Sequence, residues 1–209
     1  MALVWAVVLL NSLPLLLAQP PTCENLQVTA LSDAMMKQLE GKWFYIGGVM
    51  RLPAYKEAAG MIQSAYFYLK PNITANNFFL EEYSTVAGKC IFNSTYLTVC
   101  RANGTLMRSD AATVHVAHLV LPRTPKTFMM LFYPEEERNK GLAFYADRQQ
   151  ATQEQLKEFL SAVKCLGFRN DEIMYTDGSK DACQLLEKAH KKKESEEKGP
   201  NESEEDEEP

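Results

Sequence analysis

Gly41-Lys42-Trp43-Phe44-Tyr45 stands where a short polar helix meets a first strand. Upstream, Ser32 to Glu40 reads as a helical turn with Leu31, Met35 and Leu39 on one side. Downstream, Trp43 to Met50 is apolar and suited to an extended strand. A glycine allows a sharp bend, and a buried indole plugs whatever lies behind it. Taken alone, Trp43 reads as an ordinary core residue, so the surrounding chain must decide its role.

Met1 to Ala18 is apolar, carries no charged side chain and ends Leu16-Leu17-Ala18 before Gln19-Pro20. This reads as a secretory signal peptide, too short and too broken by Asn11, Ser12 and Pro14 to be an anchor. The mature chain is therefore expected in the extracellular space, without stable membrane anchoring. Sequons at Asn72, Asn93 and Asn103 point to a glycoprotein and should face solvent; a fourth, Asn201, lies in an acidic tail. The five cysteines, Cys23, Cys90, Cys100, Cys165 and Cys183, predict two bridges and one leftover thiol in an oxidising compartment. Spacing does not choose among the possible pairings, and no C-x-x-C suggests a metal or redox site.

From Lys188 to Pro209 the chain is a charged run, expected to be a disordered tail. Residues 19–187 then form one domain, expected as a monomer. A net charge of −5 and the lack of a basic patch interleaved with aromatics argue against nucleic acid.

Between Gly41 and Arg148 the β signal recurs. Ile62–Leu69, Phe78–Tyr83, Cys90–Cys100, Val114–Leu121, Thr127–Tyr133 and Leu142–Ala146 are separated by turn residues, among them Ala87-Gly88 and Asn103-Gly104. Consecutive hairpins without helices predict an antiparallel meander, a closed barrel or a sandwich. The period then changes. Thr152-Gln153-Glu154-Gln155 is a capping box, Leu156, Phe159, Leu160 and Val163 follow at helical spacing, and Gly167 ends the helix. A short strand, Glu172 to Thr176, comes after it.

A turn of helix, G-x-W, eight strands, a flanking helix and one further strand resemble the lipocalins. The likeness includes Gly41-Lys42-Trp43, Phe67-Tyr68, Glu82-Tyr83, Ala117-His118-Leu119, Tyr145-Ala146-Asp147 and Tyr175-Thr176-Asp177, and spans nearly the whole mature domain. It implies a mostly β fold: an eight-stranded antiparallel up-and-down barrel with one flanking C-terminal α-helix. A Thr-Asp-Tyr-like second lipocalin motif is not evident around Tyr133-Pro134-Glu135. The resemblance also implies bridges Cys23–Cys165 and Cys90–Cys183, glycans on Asn72, Asn93 and Asn103, and Arg148 stacked over Trp43 to close the barrel.

A barrel of this kind holds one small ligand. Extending the family's cavity pattern, with strand alternation, assigns ligand contacts to Tyr45, Phe67, Leu80, Glu82, Leu97, Arg108, Phe128, Met130, Phe132 and Tyr145, with Leu69, Leu106 and Ala117 beside them. The implied function is transport of small lipophilic molecules, basic and neutral drugs and steroids, as an acute-phase or immunomodulatory carrier without a cofactor. Glu82 could attract lipophilic amines or be neutralised by Arg108. The rival readings are a lipocalin-type isomerase using Cys100 and a structural or mucosal glycoprotein. Against catalysis, His115 and His118 fall on opposite faces of a strand, Cys100 points outward, and no G-x-S-x-G, H-E-x-x-H or phosphate loop occurs. No metal site is expected.

Overall fold

The computed structural model describes Leu26 and residues 30–109, 114–133 and 136–197. The expected signal peptide, Cys23, Asn201 and Pro134-Glu135 lie outside the described residues.

Helix α1 (Asp33–Gln38) is capped by the Ser32 hydroxyl, which accepts from Met35 N. Strands β1 (Gly41–Met50), β2 (Ile62–Asn72), β3 (Asn77–Val86), β4 (Lys89–Cys100), β5 (Thr105–Ser109), β6 (Val114–Val120), β7 (Thr127–Phe132) and β8 (Gly141–Ala146) follow. Each pairs antiparallel with the next, and β1 pairs with both β8 and β2, closing the barrel. Closure leaves no edge among these strands. The Ala87-Gly88 connection places both residues at positive φ, +50° and +72°, which suits a two-residue hairpin. Between β1 and β2 runs helix α2 (Pro53–Met61), absent from the sequence reading.

β1 breaks register between Tyr45 and Gly47, and beyond that point β9 (Met174–Tyr175) pairs with Gly47 and Gly48. A Cβ on Gly47 would meet the Met174 carbonyl oxygen at 2.7 Å, so this close crossing requires glycine. Helix α3 (Gln153–Cys165) has the expected Thr152/Gln155 capping box, and Gly167 follows it at φ +74°. Its Phe159 stacks on Phe144 at 4.9 Å, centring a core between the helix and the outer faces of β1 and β6–β8.

The chain from Lys188 to Glu197 is not a disordered tail: helix α4 covers Gln184–Glu197. Tethering explains the difference. The Cys90–Cys183 bridge fixes the segment to β4 just before the helix begins. Glu187 then accepts from Lys42 Nζ at 3.0 Å, Tyr66 Oη at 2.8 Å and Tyr68 Oη, and pairs with Lys191 at 2.8 Å. Burial alone would raise the Glu187 pKa, but these hydrogen bonds outweigh it and hold the carboxyl at about 2. His190 packs edge-on against Phe92 and bonds Tyr83 Oη. Composition gave no sign of these partners, because all but Lys191 lie far away in sequence.

Cys165 is disulfide-bonded, and Cys100 is a free, half-buried thiol.

Candidate functional site: the barrel cavity

Inward residues alternate along each strand, and cross-strand register carries one face round the barrel. Phe67 stands opposite Glu82, Leu97 opposite Phe78, and Leu106 opposite both Val99 and Ala117. At the lower end these side chains close up. Trp43, 6% exposed, donates from Nε1 to the Leu39 carbonyl at 2.8 Å and meets Phe128 edge-on at 4.9 Å. Leu31, Met36 and Leu39 pack into the same cluster. The Trp43 indole thus sits between α1 and the barrel interior.

Above this floor is a cavity of about 440 Å³, walled by Tyr45, Phe67, Leu80, Glu82, Leu97, Leu106, Arg108, Ala117, Met130, Phe132 and Tyr145. All the residues assigned to ligand contact line it except Phe128 and Leu69. Phe128 is fully buried, stacked on Tyr145 at 4.8 Å, so it is packing beneath the cavity and not a contact surface. Leu69 belongs to the same floor cluster. Both sit on the inward face, but too low, and alternation does not report height. Arg148 also differs from expectation. Its guanidinium pairs with the neighbouring Asp147 at 3.1 Å and is half exposed, and the ring against Trp43 is that of Phe128. An adjacent carboxylate captures the cation more cheaply than an indole across the barrel end.

The sequence reading missed the upper wall. Tyr55, Ala58 and Ala59 of α2 line the cavity, together with Met50, Ile62, Ala65, His115 and Ala143. Tyr55 Oη lies 2.5 Å from His115 Nδ1, and its ring packs edge-on to Phe132 at 5.8 Å. Pro53 at the first turn and Ala54, Ala58 and Ala59 were the available signals for this helix, but Leu52 supplies no side-chain cap. Sparse small residues leave little amphipathic pattern to detect.

Polar groups in the cavity are few. Arg108 lies 3.9 Å from Glu82, with both side chains about one-third exposed. Such a partly solvated pair contributes about 0–1 kcal/mol. Burial raises the pKa of Tyr45, and burial with the nearby Tyr45 and Glu82 raises that of Tyr145, so both phenols stay protonated. Among the described residues no group of three or more His, Cys, Asp or Glu side chains could hold a metal. His118 faces away from the cavity and meets Thr105 Oγ1 at 3.3 Å. Cys100 pairs in register with Thr105 on that outer face, one residue from the inward Val99.

Of the three expected glycan sites, Asn72 and Asn103 are exposed. Asn93 is half-buried and pairs across from Glu82, placing it on the inner face of β4 toward the cavity mouth.

The sequence profile of the lipocalin / cytosolic fatty-acid binding protein family matches residues 40–180. Alpha-1-acid glycoprotein of Bos taurus is 44% identical over 200 residues, covering 94% of this chain and 99% of that protein. Its counterpart in Oryctolagus cuniculus is 40% identical over 198 residues, covering 95% and 98%. The chain is a lipocalin of the alpha-1-acid glycoprotein branch. Among solved lipocalin structures, the siderocalin Ex-FABP superposes with a TM-score of 0.56 at 7% identity, covering 68% of this chain and 95% of that one. Rat epididymal lipocalin 12 gives 0.55 at 14% identity, covering 72% and 87%. At such identities these two show the lipocalin fold alone, and the alpha-1-acid glycoproteins carry the closer relationship.

Proposed function

We propose that this lipocalin is a secreted carrier that takes a small lipophilic ligand, a steroid or lipophilic drug, into its barrel. The observation that carries the reading is the cavity of about 440 Å³, largely apolar and aromatic, within a closed barrel stoppered by Trp43. That volume falls in the range that buries a drug-sized molecule. Each Å² of apolar ligand surface removed from water contributes roughly 25 cal/mol, so desolvation supplies affinity and the few polar groups supply orientation.

Secretion is supported by the leader Met1–Ala18, the Cys90–Cys183 bridge and the relatives' being named glycoproteins. The same features support glycans on Asn72, Asn93 and Asn103, and the disulfide-bonded state of Cys165 supports a Cys23–Cys165 bridge; the carrier is proposed to act as a monomer, one closed barrel per chain. An acute-phase role is part of the proposal and rests on resemblance alone. A binder fits better than a catalyst, because Glu82 has Arg108 beside it, His115 has Tyr55, and the Cys100 thiol lies on the outer face.

Displacement of a bound fluorescent probe by a steroid and by a lipophilic amine tests the reading. Saturable displacement with one site per chain supports it; a linear, unsaturable response refutes it.

A further inference from the structure

Strand register sets the side chains on the outer face of β2, β3 and β4 in rows. Tyr66, Tyr83 and Phe92 form one aromatic row, and α4 covers it through Glu187 on Tyr66 and His190 on Tyr83 and Phe92. Four residues further along each strand, and so on the same face, Lys70, Phe79 and Tyr96 form a second row. Helix α4 meets this row at Lys70, 2.9 Å from Glu194. The Phe79 and Tyr96 rings pack together at 5.1 Å, and Tyr96 is left 63% exposed.

Asn72 stands two residues beyond Lys70 on β2, in the next row of the same face. It pairs with Asn77, which makes it a diagonal neighbour of Phe79, about 7–8 Å away. It is exposed and opens the sequon Asn72-Ile73-Thr74. Its Oδ1 accepts from Ala75 N at 2.9 Å, which anchors the amide and leaves Nδ2, the atom that carries an N-linked sugar, outside the turn. The first sugar of such a glycan is N-acetylglucosamine, whose axial C–H groups make one ring face apolar. Laid on an aromatic ring, that face takes apolar surface of both partners out of water. Tyr96 lies one strand further, about 5 Å on, within reach of the second sugar.

We propose that Phe79 and Tyr96 are a docking platform for the glycan on Asn72, whose first sugars lie along the barrel wall. The inference rests on the glycan reading of Asn72 and goes beyond the carrier function. The sugar continues over the second aromatic row the cover that α4 gives the first, and it becomes part of the fold instead of a solvated appendage.

The test uses the full chain secreted from mammalian cells, as wild type, Thr74→Ala, Tyr96→Ala and the double variant. Thr74 is exposed, and its replacement abolishes the sequon while keeping the Asn72 bond to Ala75. Loss of the sugar through Thr74→Ala should lower the melting temperature by about 2–4 °C when Tyr96 is present, and by under about 1 °C in the Tyr96→Ala background. A second readout needs only the sugar-bearing proteins: timed release of glycans by peptide N-glycosidase under native conditions, followed by glycopeptide mass spectrometry. Tyr96→Ala should speed release from Asn72 about 3- to 5-fold and leave release from Asn103, in the turn after β4, unchanged. An equal fall in melting temperature in both backgrounds overturns the proposal, as does an unchanged release rate at Asn72. An Asn72 that carries no sugar overturns the glycan reading as well, and this outcome is distinct from a sugar that is present but uncoupled to Tyr96.

Discussion

Replacing Glu187 by Gln keeps the shape of the side chain under α4 and removes its charge. In the folded protein this carboxylate accepts from Lys42, Tyr66 and Tyr68 and pairs with Lys191, and only 11% of its side chain is exposed. An amide in its place would leave Lys42, held over the Tyr66 ring at 3.7 Å, without a counter-charge. A carboxyl moved from its ordinary 4.5 to about 2 contributes about 3 kcal/mol at neutral pH. The sign follows from which state binds the proton first. The unfolded carboxyl protonates near 4.5, so the contribution is complete above that pH and is lost as pH falls toward 2. At pH 3 about 1.4 kcal/mol should remain. Glu187→Gln should thus cost about 3 kcal/mol at pH 7, roughly 6–12 °C in melting temperature for a domain of this size. Its disadvantage should shrink as the solution is acidified. Urea unfolding of both proteins at pH 7 and pH 3 measures this. A difference below about 1 kcal/mol at pH 7, or one that does not change with pH, would refute the role given to Glu187.

Phe128→Ala should cost about 3–5 kcal/mol in urea unfolding, because a fully buried ring between Trp43 and Tyr145 leaves a void beneath the cavity. A loss under 1 kcal/mol would return Phe128 to the ligand-facing wall. Glu82→Gln should weaken a lipophilic amine by up to about fivefold and leave a neutral steroid unaffected, the effect being limited by Arg108 at 3.9 Å; equal losses for both ligands would sink the assignment. Gly48→Ala should destabilise the fold by about 1–3 kcal/mol, since its methyl would lie 2.7 Å from the Leu142 carbonyl oxygen and 2.9 Å from Tyr45 Oη. Thermal unfolding identical to wild type would contradict that crowding.

The antiparallel meander was legible in the sequence because its signals are local, and the resemblance to lipocalins chose a closed barrel over a sandwich. Turn pairs such as Ala87-Gly88 and aromatic-rich runs such as Phe78–Tyr83 need only neighbours, as does the Thr152/Gln155 capping box. The family's cavity pattern, carried along the strands by alternation, found the inward face that holds Phe67, Glu82 and Tyr145. It could not report depth, which separates Phe128 and Leu69 in the floor from Leu80 and Leu97 in the cavity wall. Distant partners were invisible. Lys188 to Glu197 looked like a solvated tail because the partners that anchor the helix through Glu187, among them Lys42, Tyr66 and Tyr68, stand more than a hundred residues away. The resemblance set Arg148 over Trp43, and the competing contact with Asp147 depends on rotamer and not on residue type. Helix α2 escaped notice because its short, alanine-rich sequence lacks an apolar stripe, and with it went Tyr55 and the upper wall.

The central claim is that ligands bind inside the barrel. Ala117 lines the cavity, so an indole at that position would project into empty space. The decisive measurement is a calorimetric titration of a neutral steroid into wild type and into Ala117→Trp, with the fold of each verified by circular dichroism. The account predicts one saturable site in wild type and at least tenfold weaker binding in the folded variant. Equal affinity in the two proteins would place the ligand elsewhere and contradict it.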